Sequence, residues 1–325
     1  MEAKQIDFSK TLSDNDVQDF ITQNYNDLGT DWVTHQWNWL NNVYISFQDH
    51  VKFLIIVSLV EKTLNFYHQG NVTQNYDQYY SKQNLQINKF SISELCEKLS
   101  LPKETIRRKV LELEKLGVIK RQKKQITIDR SAYPYVQPIQ QIPFTSKYVA
   151  KVANLLNKNK LYNKKIDANL IEKVIKKNFT LCWRWYYRMQ IPWVIGYQKM
   201  FYDFTTAHVI GTIMMHQALN TKSFPQDLSK NKDNKFFVED TFLNPLQLTK
   251  PGLSAMSISE MTNIPRATVI RKCKFLMKKD SLKVNDKKQY FLTGNNKEKV
   301  FNFQMSFFKE KSKFLTRILN LIAIS

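Results

Sequence analysis

Two segments of this 325-residue sequence concentrate the side chains that bind phosphate groups and the edges of bases. Residues 98–130 contain eleven Lys and Arg against four Asp and Glu, and residues 264–300 contain eleven against three. Residues 1–34 carry a net charge of −5 instead. The total charge of +21 and the pI near 9.7 lie in the range of nucleic-acid binders. Because the charge is so uneven, a general compositional bias does not explain it.

In the first basic segment, the charged side chains fall on one face of a predicted helix. Ile106, Val110 and Leu113 recur at helical spacing and predict the buried face, which leaves the other positions outward. An outward arginine can read guanine in the major groove, while lysines bind phosphates. We expect DNA contacts from Lys103, Glu104, Arg107 and Arg108, from Thr105 near the helix N-terminus, and from Lys120, Arg121, Lys123 and Lys124 in the hairpin that follows.

The elements that position these side chains are predicted across residues 91–129. Ser91 and Glu94 have the spacing of a capping box at a helix start, and Pro102 suits the first position of a second helix. Gly117 is typical of a left-handed helix end. Two short strands, at 118–121 and 125–128, then flank a lysine-rich turn. The order is helix, turn, helix and β-hairpin, which is the plan of a winged helix-turn-helix.

The same plan returns 163 residues later, at residues 254–292. Leu101-Pro102 aligns with Ile264-Pro265, and Leu113 with Leu276. In this copy Ile270 replaces Arg107 and Ala267 replaces Glu104, so the second copy offers fewer polar groups. Its predicted DNA contacts are Arg266, Thr268, Arg271 and Lys274 on the helix, and Lys287 and Lys288 in the hairpin.

The similarity between the halves extends beyond the hairpins. Residues 147–156 match residues 313–322 position by position, and aromatic stretches precede an apolar helix in both halves. A long-period repeat of this kind predicts one domain at residues 1–165 and another at 166–325. We expect a mostly α fold, with tandem winged helix-turn-helix domains, small β-hairpin wings and additional aromatic-rich helices. The tryptophans Trp37, Trp39, Trp183, Trp185 and Trp193 are expected in a packed core or between repeats, and residues 69–89 and 221–250 in polar loops.

The pattern of Leu101, Pro102, Thr105, Arg108 and Leu113 resembles the recognition-helix region of winged-helix bacterial regulators of the MarR and IclR kind. The second copy supplies a matching set. The resemblance covers about 40 residues in each half, and it implies a DNA-binding domain, present twice, in a regulator of transcription. The flanking aromatic helices match no family that we can name.

Other classes of function find little support in the sequence. It contains no G-x-x-x-x-G-K, G-x-G-x-x-G, H-E-x-x-H or G-x-S-x-G motif, so we expect no enzyme and no cofactor. The three cysteines are odd in number and widely spaced, and the five histidines are scattered, so the sequence indicates neither disulfides nor a metal site. The longest apolar run, residues 53–60, is too short to span a bilayer. We therefore expect a cytoplasmic protein that does not bind membranes.

These observations favour a sequence-specific binder of double-stranded DNA that regulates transcription, as a pseudo-symmetric monomer or as a homo-oligomer. Two alternatives stay open. One is a replication initiator with tandem winged helices, and the other is an interaction scaffold whose winged helices bind protein. Arg107, Arg108 and Arg271 on the outward faces favour DNA over a protein partner.

The hairpin lysines should make duplex binding sensitive to salt, because they release counterions condensed on phosphates. Changing both Lys123 and Lys124 to Ala should lower the slope of log K against log salt concentration by about 1 per lost contact. The affinity for duplexes of unrelated sequence should fall equally, as measured by fluorescence anisotropy. Binding that is unchanged across the salt range would contradict this assignment.

Overall fold

Helices form where apolar residues recur at helical spacing behind a polar residue that caps the first turn. Ser13 caps the first helix by accepting a hydrogen bond from the amide of Asp16, and Asp167 caps another by accepting one from Leu170 at 2.7 Å. The computed structural model describes residues 11–88, 90–123, 125–132, 138–162, 165–221 and 252–324. Within these residues it contains thirteen helices and two small sheets, which confirms the mostly α expectation. The helices are α1 (Asp14–Gln23), α2 (Tyr25–Phe47), α3 (His50–Gln69), α4 (Tyr76–Tyr80), α5 (Ile92–Leu99), α6 (Lys103–Lys115), α7 (Gln141–Lys158), α8 (Ala168–Lys177), α9 (Phe179–Met200), α10 (Phe204–Thr221), α11 (Ala255–Thr262), α12 (Arg266–Lys278) and α13 (Lys297–Ile324).

Each of the two sheets has three antiparallel strands, and in each the first strand in sequence pairs with the third. The first sheet has the order β1-β3-β2 and the second β4-β6-β5. The hairpins β2–β3 and β5–β6 are those predicted from sequence. The strands are β1 (Asn84–Ile87), β2 (Ile119–Gln122), β3 (Gln125–Asp129), β4 (Leu253–Ser254), β5 (Leu282–Val284) and β6 (Gln289–Leu292).

The assignment of residues 69–89 to a loop is wrong, because α4 and β1 both lie there. The four residues of β1 carry too short a pattern to predict a strand, and their structure comes from pairing with β3, where Leu85 opposite Ile128 fixes the register. Asn75 caps α4 with a reciprocal bond to Gln78. Apart from Thr221, which ends α10, the second predicted loop at residues 221–250 falls outside the described residues.

The chain forms two compact units, and each is assembled from segments of both sequence halves. Unit 1 comprises Met1–Leu12, Asp49–Ile195 and Phe314–Ser325, and unit 2 comprises Ser13–Gln48 and Gly196–Lys313. Thus α2 belongs to the unit that contains α12, although the repeat places it in the half 1–165. A sequence repeat records duplication, whereas a compact unit records which apolar faces are buried together, so the two divisions differ.

The core of unit 1 lies where α3 packs on α5, α6 and β1. A run of aromatic side chains along α9 adds to it. The rings of Phe179, Trp183 and Tyr186 stack in series, with centroid distances of 5.6 and 4.5 Å. Trp183 is 1% exposed, as expected for a packed core.

The core of unit 2 lies where α2 packs against α10 and α11. The indole N–H of Trp32 donates to Oε1 of Gln304 at 3.1 Å, and that of Trp37 donates to the hydroxyl of Thr212 at 3.0 Å. Nζ of the buried Lys311 lies 4.1 Å from the ring centroid of Trp32. Burial holds the pKa of Lys311 well below its usual range. Aromatic side chains therefore fill the core of this unit too, with Trp39 also buried.

The left-handed backbone at Gly117 gives a test of this fold. Its φ is 72°, and a Cβ placed there would meet no atom within 4 Å, so Gly117→Ala adds backbone strain and no clash. We expect the free energy of unfolding to fall by about 1 kcal/mol. Gly70→Ala is the matched control, because Gly70 has a φ of −85° and room for a methyl group. Urea denaturation should show a lower free energy of unfolding for Gly117→Ala only. Equal changes in the two variants would contradict the left-handed backbone assigned to Gly117.

Candidate nucleic-acid interface

The turn between α5 and α6 sets where α6 begins. Ser91 accepts a hydrogen bond from the amide of Glu94, but the Glu94 carboxylate binds Lys62 at 2.5 Å instead of completing the predicted capping box. Ser100 ends α5 with a φ of 51°. Pro102, one residue before the first helical residue, accepts the first backbone hydrogen bond of α6. Local sequence signals thus fix the position of α6.

The two faces of α6 divide as the sequence predicts. Ile106, Val110 and Leu113 are fully buried. The opposite face is exposed and basic, and Arg108, with 65% of its side chain exposed, makes a long contact of 3.8 Å with Glu112. Of the predicted contact residues on this helix, Lys103, Glu104, Arg107 and Arg108 are exposed, and Thr105 is half-buried.

A half-buried lysine fixes the inner side of α6 to the start of α3. Nζ of Lys109 lies 2.7 Å from Oδ2 of Asp49 and 2.9 Å from Oε2 of Glu112. The other carboxylate oxygen of Asp49 accepts the amides of the first turn of α3. Burial alone would lower the pKa of Lys109, but its hydrogen bonds to Asp49 and Glu112 outweigh that and raise it. The lysine is therefore held charged in this contact.

The same contact recurs at α12. Nζ of Lys272 lies 2.7 Å from Oδ2 of Asp203, and Asp203 also accepts the amide of Thr206 at the start of α10. Burial would raise the pKa of Asp203, but its hydrogen bonds to Lys272 and Thr206 hold it below the usual range. Lys272 is the residue that aligns with Lys109. Sequence analysis missed both contacts, because the lysine and the aspartate lie 60 or more residues apart.

The residues around the two aspartates also correspond. Gln48 and Tyr202, the residues before them, both have left-handed backbones, with φ of 51° and 74°. A long helix ends just before each, and the helix that packs on α6 or α12 begins just after. The aromatic stretch that precedes an apolar helix in each half therefore belongs to a repeated unit. This unit consists of a long helix, a turn, an aspartate and a second helix.

The buried face of α12 corresponds to that of α6. Val269, Cys273 and Leu276 are fully buried. Ile270, which stands where α6 has Arg107, is half-buried. Of the predicted contact residues, Arg266, Arg271 and Lys274 are exposed, and Thr268 is half-buried.

Both helices end in the same backbone geometry and lead into the hairpins. Gly117 and Asp280 have φ of 72° and 50°. The next residues, Val118 and Ser281, donate their amides to the carbonyl five positions earlier, at 3.1 and 2.9 Å. The tolerance of aspartate for this backbone explains how it replaces glycine.

The hairpin turns present exposed lysines in both units. Lys123 and Lys288 occupy left-handed turn positions, with φ of 53° and 57°. Lys120, Lys123, Lys287 and Lys288 are exposed. Arg121 is exposed too, and its guanidinium donates to Oε2 of Glu114 at 3.1 Å. Lys124 lies outside the described residues.

The described part of the chain holds no metal-binding cluster and no disulfide. No group of three His, Cys, Asp or Glu residues there could hold a metal ion. Cys182 and Cys273 are buried, and burial raises the pKa of Cys273 to about 12. Among the same residues, each single helix is too short or too polar to span a bilayer, while the bent pair Asp27–Phe47 and His50–Gln69 together have the length and composition of a span.

No family model matches the chain, and neither does any curated protein or solved structure. Within the chain, however, the segments at residues 91–129 and 254–292 resemble each other. They share a buried helix face, a lysine–aspartate contact, a left-handed helix end and an exposed basic surface.

The two lysine–aspartate contacts should stabilise the units that contain them. Lys109→Met and Lys272→Met keep most of the side-chain volume but leave a half-buried carboxylate without its cation. We expect each to lower the free energy of unfolding by about 1 kcal/mol. Lys103→Met, on the exposed face of α6, is the control and should change it by less than about 0.5 kcal/mol. Denaturation by urea measures all three, and a control as destabilised as the other two would contradict the role of the contacts.

Proposed function

We propose that this chain is a sequence-specific double-stranded DNA-binding protein that regulates transcription through two winged helix-turn-helix units. In this proposal α6 and α12 are the recognition helices, and the β2–β3 and β5–β6 hairpins are the wings. The observation that carries it is the repeated contrast between the two sides of each helix. One side is buried and ion-paired, while the other is exposed, basic and, within the described residues, has few ion pairs.

The exposed side of α6 has the chemistry to read bases. In the described residues no carboxylate lies within 4 Å of Arg107, and the nearest to Arg108 is 3.8 Å away. Both guanidinium groups can therefore reorient toward the paired acceptors of guanine in the major groove. Lys103 and half-buried Thr105, near the N-terminus of the helix, are placed to meet phosphates.

The exposed side of α12 is simpler. Half-buried Ile270 and exposed Ala267 occupy the positions of Arg107 and Glu104. Arg266, Arg271 and Lys274 remain for phosphates. We infer that α6 supplies most of the sequence preference and that α12 mainly adds affinity.

A protein-binding scaffold is the second candidate, and one observation favours it. Leu111 is 41% exposed on the face that carries Arg108. An apolar side chain there suits a protein groove, but it also suits the methyl group of thymine. The arginines beside it favour DNA, because a scaffold would leave them without an anion.

Selection from randomised duplexes tests the proposal and the inequality of the two helices. Arg107→Ala and Arg108→Ala should relax the preference at particular base pairs, since a bidentate arginine contact contributes about 1–3 kcal/mol of discrimination. Arg271→Ala should lower the affinity for duplex DNA but leave the sequence preference unchanged. Lys177→Ala, on the exposed surface of α8, is the charge-matched control.

Two outcomes would count against these statements. If the unmodified chain enriches no sequence, the proposed function is wrong. If Arg271→Ala weakens the sequence preference as much as the α6 variants do, both helices contribute to base recognition. The proposed difference between α6 and α12 is then wrong.

A further inference from the structure

Three arginines of unit 1 form a cluster away from α6 and its hairpin. Arg184 and Arg188 lie one turn apart on α9, and Arg317 lies on the segment of α13 that belongs to the same unit. His68 lies in the last turn of α3, three residues after Asn65, which accepts a hydrogen bond from Arg184. Nothing in the proposed contacts of α6 uses these residues.

The helices that carry the arginines pack together at this level, because the ring of Tyr186, between Arg184 and Arg188, lies 5.8 Å from that of Phe314, one turn before Arg317. Nε of Arg184 donates to Oδ1 of Asn65 at 2.6 Å, on the turn of α3 before His68. The pKa of His68 is lowered by Arg184 most of all, and also by Arg188 and Arg317. The pKa of Arg184 is itself lowered, by burial first and then by Arg188.

Negative charge in the described residues compensates the cluster only in part: Glu61 acts to raise the pKa of Arg184, but the net shift is downward. No carboxylate there lies within 4 Å of any of the three guanidinium groups. The nearest acidic group in this network, Glu61, accepts from Asn65 through one oxygen and binds Lys98 through the other. Like charges held together without an ion-pair partner repel one another, so a bound anion would stabilise the arrangement.

The position of the cluster separates it from the proposed base-reading face. Lys109 of α6 contacts Asp49 at the start of α3, while His68 is in its last turn. The 18 residues between His50 and His68 span about 27 Å along the helix. Between the two ends, α5 is joined to α3 by the contact of Lys62 with Glu94.

We propose that Arg184, Arg188 and Arg317 form a second binding site, which takes a phosphoryl group. The planar guanidinium fork binds phosphate oxygens in pairs, so three of them match a doubly charged tetrahedral anion better than a single carboxylate. The phosphoryl group can belong to the backbone of a long duplex that passes beyond α6, or to a small phosphorylated molecule. The site chemistry is the same in both cases and does not depend on the proposed function.

Titration calorimetry of the full chain with inorganic pyrophosphate tests the site. Arg188→Gln and Arg317→Gln should each weaken binding about tenfold, since each removes hydrogen bonds between charged groups. Arg188→Lys should recover only part of the affinity, because it restores the charge but not the fork. Lys173→Gln, an exposed lysine of α8 in the same unit, is the matched control and should bind as the unmodified chain does.

A second arm distinguishes the two sources of phosphate. If a duplex supplies it, Arg188→Gln and Arg317→Gln should each lower the salt slope of binding to a 40-base-pair duplex by about 1. If a small molecule supplies it, pyrophosphate binding is weakened while the slope stays unchanged. The resonances of the His68 ring should shift on adding pyrophosphate, which locates the binding.

The inference is overturned if Arg188→Gln and Arg317→Gln change neither pyrophosphate binding nor the salt slope. Arg107→Ala keeps this test separate from the proposed function, because it should leave the His68 response to pyrophosphate intact. A failure of α6 to bind DNA would therefore not remove the response at His68.

Discussion

The orientation of α6 and α12 depends on one interaction, which occurs once in each unit. A lysine of α6 or α12 binds the aspartate that caps the helix packed against it, α3 or α10. Asp49 and Asp203 each perform two tasks with one carboxylate: they accept amides at the start of α3 or α10, and they bind Lys109 or Lys272. Because the lysine is on the half-buried side of its helix, the contact fixes the rotation of that helix about its axis. The basic residues one or two positions away are then held outward.

The parts of the fold that follow from short-range signals were predictable from sequence. Apolar spacing and turn residues located α5, α6, β2 and β3, and Gly117 adopted the left-handed backbone expected of it. The parts that depend on distant partners were not. β1 is a strand only through its pairing with β3, and Glu94 binds Lys62 rather than the amide that the capping box requires. The division into units places α2 in one unit and most of α9 in the other. It depends on which aromatic faces are buried together, and the sequence repeat does not indicate this.

The candidate site divides in the same way. The outward faces of α6 and α12 followed from helical periodicity, since Ile106 and Val269 had to be buried. The ion pairs of Arg121, Lys109 and Lys272 did not, because each partner comes from another element. The cluster of Arg184, Arg188 and Arg317 was invisible to sequence analysis for that reason too.

The central claim is that the exposed faces of α6 and α12 contact a duplex, and photo-crosslinking followed by mass spectrometry tests it most directly. A pool of duplexes carrying 5-iododeoxyuridine, bound to the full chain and irradiated, should give crosslinked peptides from residues 103–123 and 266–288, with the larger share from the first. Crosslinks that fall outside both ranges while the chain binds the duplex would contradict the account.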